Sequence, residues 1–304
     1  MPLARPLGGY IPVPATPFDA AGRLMEDGLA TIIRWHLDNG AEGLCVAAGN
    51  GECAAMTADE VGRVVRIARG VAGSQMPIIS GALGATADTV DGAAAYVRAG
   101  MENGADAVLV TPHTSRPDAT RYEVVARYHA IADATGAPIV AYNSPRHFGV
   151  TLDVPTLAAL ADAIDLVGLK EASRDFDHIG AVVAAHGARV PVFVGPGWFI
   201  MPGAALGAAG FLSTGPDLLG PDSARIMVAA RAAPDASSRT LHHRVAGIYR
   251  LLLDSGLGPS PAPLKAALTM LGLPAGFARD PVKRLDQANA ARLRDGLSRL
   301  GLLP

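Results

Sequence analysis

Two hydrophobic rhythms alternate along the first two thirds of the chain. Short runs rich in Val, Ile and Leu recur, and the stretches between them carry apolar residues three and four positions apart. A short apolar run bounded by turn residues reads as a strand buried on both faces, and the longer period as an amphipathic helix. Strands are predicted at Gly9–Val13, Gly43–Ala47, Pro77–Gly81, Asp106–Val110, Pro138–Tyr142, Leu166–Lys170, Pro191–Gly195 and Gly210–Ser213. The first helix, Asp27–Leu37, places Leu29, Ile32, Ile33 and Leu37 on one side and stops at Asn39-Gly40. A second begins at the capping box Thr57-Ala58-Asp59-Glu60 and runs through Ala68. Others are predicted over about 86–99, 120–134, 155–163 and 177–186.

Strands and helices in strict alternation, with no glycine fingerprint for a dinucleotide after the first strand, predict a closed (β/α)8 TIM barrel rather than an open sheet. From about Pro221 the pattern is helical only, with apolar-periodic segments at Leu241–Leu253, Pro263–Leu271 and Arg284–Leu300. Residues 1–220 are therefore expected to form the catalytic barrel. Residues 221–304 are expected to form a C-terminal helical bundle that includes the last barrel helix.

Composition narrows the function classes. Half of the 304 residues are hydrophobic, yet no stretch approaches the ~18 consecutive apolar residues of a membrane span. The start of the chain lacks a signal-peptide core, and Cys45 and Cys53 are too few for a disulfide scaffold, so a cytoplasmic location is expected. A net charge of −2 with both signs dispersed argues against nucleic-acid and membrane partners and for a small molecule. No His-Glu-x-x-His, Cys-x-x-Cys or phosphate-loop motif occurs, so neither a metal nor a cofactor is expected.

Lysine is scarce: among 26 basic residues only Lys170, Lys265 and Lys283 are lysines. Lys170 ends the apolar run Leu166-Val167-Gly168-Leu169, and strand ends of a barrel face the catalytic side. Burial makes an ammonium give up its proton more readily, and the free amine attacks a carbonyl to form a Schiff base. The plainer alternative is a rim lysine paired with Glu171. Tyr142, one strand earlier, is either a proton-transferring phenol or a core tyrosine. Gly49-Asn50, Thr111-His113-Thr114, Gly195 and Leu212-Ser213 would converge on the same face, with the glycine-rich turn offering backbone N–H groups to an anion.

In order along the chain, Pro14-Ala15-Thr16-Pro17-Phe18, Gly49-Asn50-Gly51-Glu52, Tyr142-Asn143-Ser144-Pro145, Gly168-Leu169-Lys170-Glu171-Ala172-Ser173 and Pro263-Leu264-Lys265-Ala266-Ala267-Leu268 resemble the dihydrodipicolinate synthase and N-acetylneuraminate lyase superfamily. The resemblance covers essentially the whole chain. It implies that Lys170 is the Schiff-base lysine, that Tyr142 moves protons, that Gly49 and Asn50 hold the keto acid carboxylate, and that Gly195 and Leu212 line the pyruvyl pocket. A homotetramer is implied as well. Departures are equally specific: where true dihydrodipicolinate synthases carry relay hydroxyls this chain has Gly49 and Thr114, and where they carry an arginine for the second substrate it has His147, with Arg146 one residue early. The expected function is a class I lyase acting on a 2-keto acid, foremost a 2-keto-3-deoxy sugar acid aldolase or dehydratase. Dihydrodipicolinate synthase and a non-catalytic keto acid binder are the alternatives. Thr114 and His147 would then contact the substrate.

Overall fold

The computed structural model describes residues 6–113, 115–213, 216–233, 235–254 and 261–303. Eight parallel strands, β1 Gly9–Pro12, β2 Leu44–Val46, β3 Ile78–Ala82, β4 Ala107–Val110, β5 Ile139–Asn143, β6 Leu166–Glu171, β7 Val192–Val194 and β8 Gly210–Ser213, alternate with helices. Around them lie α1 Glu26–Asp38, α2 Ala58–Ala72, α3 Val90–Glu102, α4 Arg121–Thr135, the one-turn α5 Pro145–Phe148, α6 Val154–Ala163, α7 Phe176–His186 and α8 Ile200–Ala205. The chain continues through α9 Asp222–Arg231, α10 Ala236–Leu253, α11 Pro261–Met270 and α12 Gln287–Arg299.

The strand order β1-β8-β7-β6-β5-β4-β3-β2 is that of a (β/α)8 barrel. At the β1/β2 seam the Glu42 N–H donates to Tyr10 O at 2.8 Å, and the Glu42 carboxylate accepts the Tyr10 N–H at 2.9 Å. A side chain thus completes the closure that strand pairing leaves open. The strands are buried along almost their whole length, as their apolar runs predict. Both halves of the Thr57/Glu60 capping box are present, and a second, Thr120/Glu123, starts α4.

The structure shifts one predicted element. The helix expected from Thr86 is a single 3-10 turn at Thr86–Asp88, and α3 starts only after Thr89, whose side chain caps it by accepting the Gly92 N–H. A threonine that satisfies an orphan N–H sets the start of a helix more strongly than the apolar period does. Of the C-terminal helices, α9 packs on α8 and β1 and so occupies the place of the eighth barrel helix. Helices α10 and α12 pack together beyond it, α11 packs against α12, and α10 lies against the turn after β7. Among the described residues no helix is long and apolar enough to cross a membrane.

Candidate active site

Register decides what faces inward. The β5/β6 pairing begins with Ile139 opposite Leu166 but continues with Val140 opposite Gly168, so Val167 is a one-residue bulge. Side chains alternate along a strand, and a slip of one residue would turn Leu169 toward Tyr142's side. The bulge instead sets Tyr142 opposite Lys170 and Asn143 opposite Glu171. Lys170 is 5% exposed, and its Nζ lies 4.3 Å from the centroid of the Tyr142 ring. Phe148 meets that ring edge-on at 5.2 Å, fixing its tilt.

The next pair points the other way, toward the helices. Asn143 Nδ2 donates to Glu171 Oε2 at 2.6 Å, while Asn143 Oδ1 accepts the Leu152 N–H at 2.9 Å and so fixes the amide's orientation. Glu171 Oε1 accepts the Ser173 N–H at 2.7 Å. His178 Nε2 stands 3.3 Å from Glu171 Oε2, and that interaction raises the histidine above its ordinary pKa despite partial burial. The fully buried Glu171 carboxylate therefore holds the β6–α7 connection, and the rim lysine–Glu171 pair is not formed. Glu171 pairs with His178, and Lys170 faces the barrel interior.

A cavity of about 330 Å3 opens at the C-terminal ends of the strands. Lys170, Tyr142, Gly49, Asn50, Thr111, His147 and Gly195 all line it, so most of the predicted residues are brought together. Leu212 is not among them: it is fully buried in β8, and the strand contributes Ser213 instead. The one-residue alternation of a strand accounts for the difference. Thr114 lies outside the described residues. Gly195 is there for space, because a Cβ would stand 2.9 Å from Ala172 Cβ, where the Gly195 N–H donates to Glu171 O.

The Gly49 turn is tightly wound. Ala47 and Glu52 both have positive φ, 47° and 59°, and a Cβ on Gly51 would come within 3.0 Å of Ala48 N. At Gly49 no atom lies within 4 Å of where a Cβ would be, so the missing relay hydroxyl is not a matter of crowding. Beneath the turn, Glu52 forms a buried ion pair with Lys265, and its Oε2 accepts the Arg279 N–H at 2.8 Å. Lys265 Nζ also donates to Phe277 O at 2.7 Å, and burial lowers its pKa against the opposing pull of Glu52. Cys53, on the same turn, is fully packed: burial pushes its thiol up to about 12, and Cys45 likewise. Neither is a nucleophile at neutral pH.

His147 sits exposed at the cavity mouth with Nδ1 2.7 Å from Ser144 Oγ. Its partial burial, reinforced by Arg146, Arg174 and Lys170, holds it below the usual histidine range. The ring is neutral at pH 7. Arg146 is exposed and does not line the cavity, whereas Arg174 does. Arg174, Tyr249 and Pro261 were not anticipated as site residues. Tyr249 comes from α10, far along the chain, and no local pattern marks it as reaching back over the barrel. Arg174 follows Lys170 on the same strand end, which was the available signal.

A family model, the dihydrodipicolinate synthetase family, matches residues 6–300. The chain belongs to that family. Enzymes of this family are Schiff-base lyases acting on small keto acids such as pyruvate. Similar curated relatives include the 4-hydroxy-tetrahydrodipicolinate synthase of Synechococcus sp. (strain WH7803), 29% identical over 97% of this chain and 96% of that protein. The enzyme of the same name from Stenotrophomonas maltophilia (strain R551-3) is 32% identical over 88% of each. Among solved structures, the pyruvate complex of the dihydrodipicolinate synthase from Acinetobacter baumannii superposes with a TM-score of 0.89 at 26% identity, covering 97% of this chain and 99% of that one.

Proposed function

We propose that this family member is a class I lyase for 2-keto acids in which Lys170 carries the Schiff base and Tyr142 the proton transfers. The observation that carries the reading is the buried Lys170 amine 4.3 Å above the Tyr142 ring, inside the cavity bounded by the Gly49-Asn50 turn. The neutral amine adds to the C2 carbonyl, the carbinolamine loses water with Tyr142 supplying and recovering protons, and a protonated imine results. Electrons from a breaking C3–C4 bond, or from a departing C3 proton, flow into that imine. In the first case the C4 hydroxyl loses its proton and an aldehyde leaves. In the second the enamine expels the C4 hydroxyl as water.

The substrate we favour is a 2-keto-3-deoxy sugar acid. Neutral His147, with Asn50, Thr111 and Ser213, offers hydrogen bonds suited to hydroxyl groups. Synthase activity toward an aldehyde is the second reading, favoured by the names of the curated relatives. Against it stands His147, since replacing a charged arginine contact forfeits roughly 10- to 150-fold in binding.

Borohydride reduction in the presence of pyruvate is expected to add a pyruvyl group to Lys170. A label on Lys265, buried against Glu52, or on exposed Lys283 would overturn the assignment. Turnover is then compared between a panel of 2-keto-3-deoxy acids and aspartate semialdehyde plus pyruvate. A semialdehyde reaction fastest by a wide margin would make the second reading the right one.

A further inference from the structure

Arg174 stands where a glycine would be at ease. Its φ is +66°, a conformation that costs an L-residue about 1 kcal/mol or more and that glycine adopts freely. The turn is held by the buried Glu171 carboxylate through the Ser173 N–H, and Asp175 N–H donates to Ser173 Oγ at 3.2 Å. An arginine kept in such a backbone state points to a use for its side chain. The guanidinium carbon lies 5.1 Å from the centre of the Trp198 ring, and Tyr249, itself edge-on to Trp198 at 4.8 Å, accepts a hydrogen bond from it. Stacking on one side and a tyrosine on another fix the plane of the fork.

The charges around it are unbalanced. Among the described residues no carboxylate pairs with Arg174, and none lines the cavity, which holds Lys170 and Arg174 with Arg146 close to the rim. Every other arginine named so far that is partly covered, such as Arg279 on Glu60, has its acid. A planar, preoriented guanidinium at the edge of an acid-free cavity matches a carboxylate in both geometry and sign.

We propose that Arg174 receives a second carboxylate of the substrate, one carried beyond C3, so that the enzyme prefers dianionic over monoanionic chains. The proposal rests on Lys170 forming the Schiff base. The pair of anionic groups then spans the cavity: the keto acid carboxylate at the Gly49-Asn50 turn and the distal carboxylate at Arg174. At about 330 Å3 the space suits an acid of five or six carbons.

Borohydride trapping on Lys170 measures this with chain-matched probes, 2-oxoglutarate against 2-oxopentanoate and 2-oxoadipate against 2-oxohexanoate. The readout is the ratio of half-saturating concentrations within each variant, so a general loss of reactivity cancels. The wild type should saturate with the better-fitting diacid at a concentration about 10-fold or more below that of its monoacid partner. Arg174→Gly, which relaxes the backbone, should bring the ratio to about 1, and Arg174→Lys, which keeps the charge without the fork, should fall between. A wild-type ratio near 1 for both pairs, or an undiminished ratio in Arg174→Gly, overturns the proposal. If Arg174 holds the keto acid carboxylate instead, both members of a pair weaken together and the ratio stays unchanged, which overturns it equally. Absence of trapping with pyruvate and with every other acid would remove the Schiff-base reading itself, whereas pyruvate trapping at a ratio of 1 removes only this inference.

Discussion

Replacing Lys265 by methionine isolates the support beneath the carboxylate turn. Methionine keeps most of the stem's packing, so the change removes the ammonium rather than volume. Lys265 and Glu52 side chains are each 1% exposed, and Lys265 Nζ additionally serves the Phe277 carbonyl and lies 4.5 Å from the Phe18 ring centre. Without it, Glu52 keeps only the Arg279 N–H at Oε2, and its other oxygen becomes an uncompensated buried acceptor. Breaking one side of a buried pair costs about 3–5 kcal/mol. For a chain of this length that is a fall in Tm of roughly 5–8 °C, read by calorimetry at neutral pH. Glu52→Gln combined with Lys265→Met should recover part of the loss, because a neutral amide no longer needs the cation. Glu52 also ends the turn whose first residue is Gly49, so the half-saturating pyruvate concentration should rise with Lys265→Met. A melting temperature within about 1 °C of wild type, or a double variant as costly as the two single ones added, would refute the reasoning.

Two further outcomes are expected. Tyr142→Phe retains the ring that faces Lys170 but not the hydroxyl, so pyruvate trapping should persist while turnover falls about 100-fold or more; near wild-type turnover would exclude Tyr142 from proton transfer. His178 has a folded pKa raised above 6.5, chiefly by its interaction with Glu171, so its contribution to stability is full below about 6.5 and is lost as pH rises through the higher folded value. His178→Gln should therefore cost on the order of 1 kcal/mol near pH 5.5 and less near pH 8.5 in urea unfolding, and a gap that widens with pH would contradict this sign.

The barrel was legible because its strands are short apolar runs buried on both faces and its helices begin at side-chain caps that can be read directly, such as Thr57 with Glu60. Lys170 and Tyr142 were legible for a related reason: a polar residue that ends an apolar parallel strand has one place to go. What could not be read was anything set by register or by distant chain. Leu212 and Ser213 differ by one residue, and only the β8 pairing decides which faces the cavity. Tyr249 arrives from a helix whose sequence period shows a buried side but not what it covers. Lys265 shares the scarcity that singled out Lys170, yet its role depends on Glu52, which lies more than two hundred residues earlier.

The described residues that are not glycine yet adopt positive φ are Ala47, Glu52 and Arg174, and all three lie at the C-terminal ends of strands, on the side of the cavity. Such conformations persist only where the surroundings hold them. Each of the two turns is anchored by a buried carboxylate: Glu52, held by Lys265 and the Arg279 N–H, under the turn after β2, and Glu171, held by Asn143, His178 and the Ser173 N–H, under the turn after β6. Both anchors face away from the reacting atoms. Side chains at the cavity surface, Gly49, His147 and Arg174, can therefore differ without disturbing the geometry that sets Lys170 against Tyr142. Specificity in this chain is separable from Schiff-base chemistry for that reason, and changes at Arg174 should alter which acid is accepted while changes at Glu171 should weaken every acid alike.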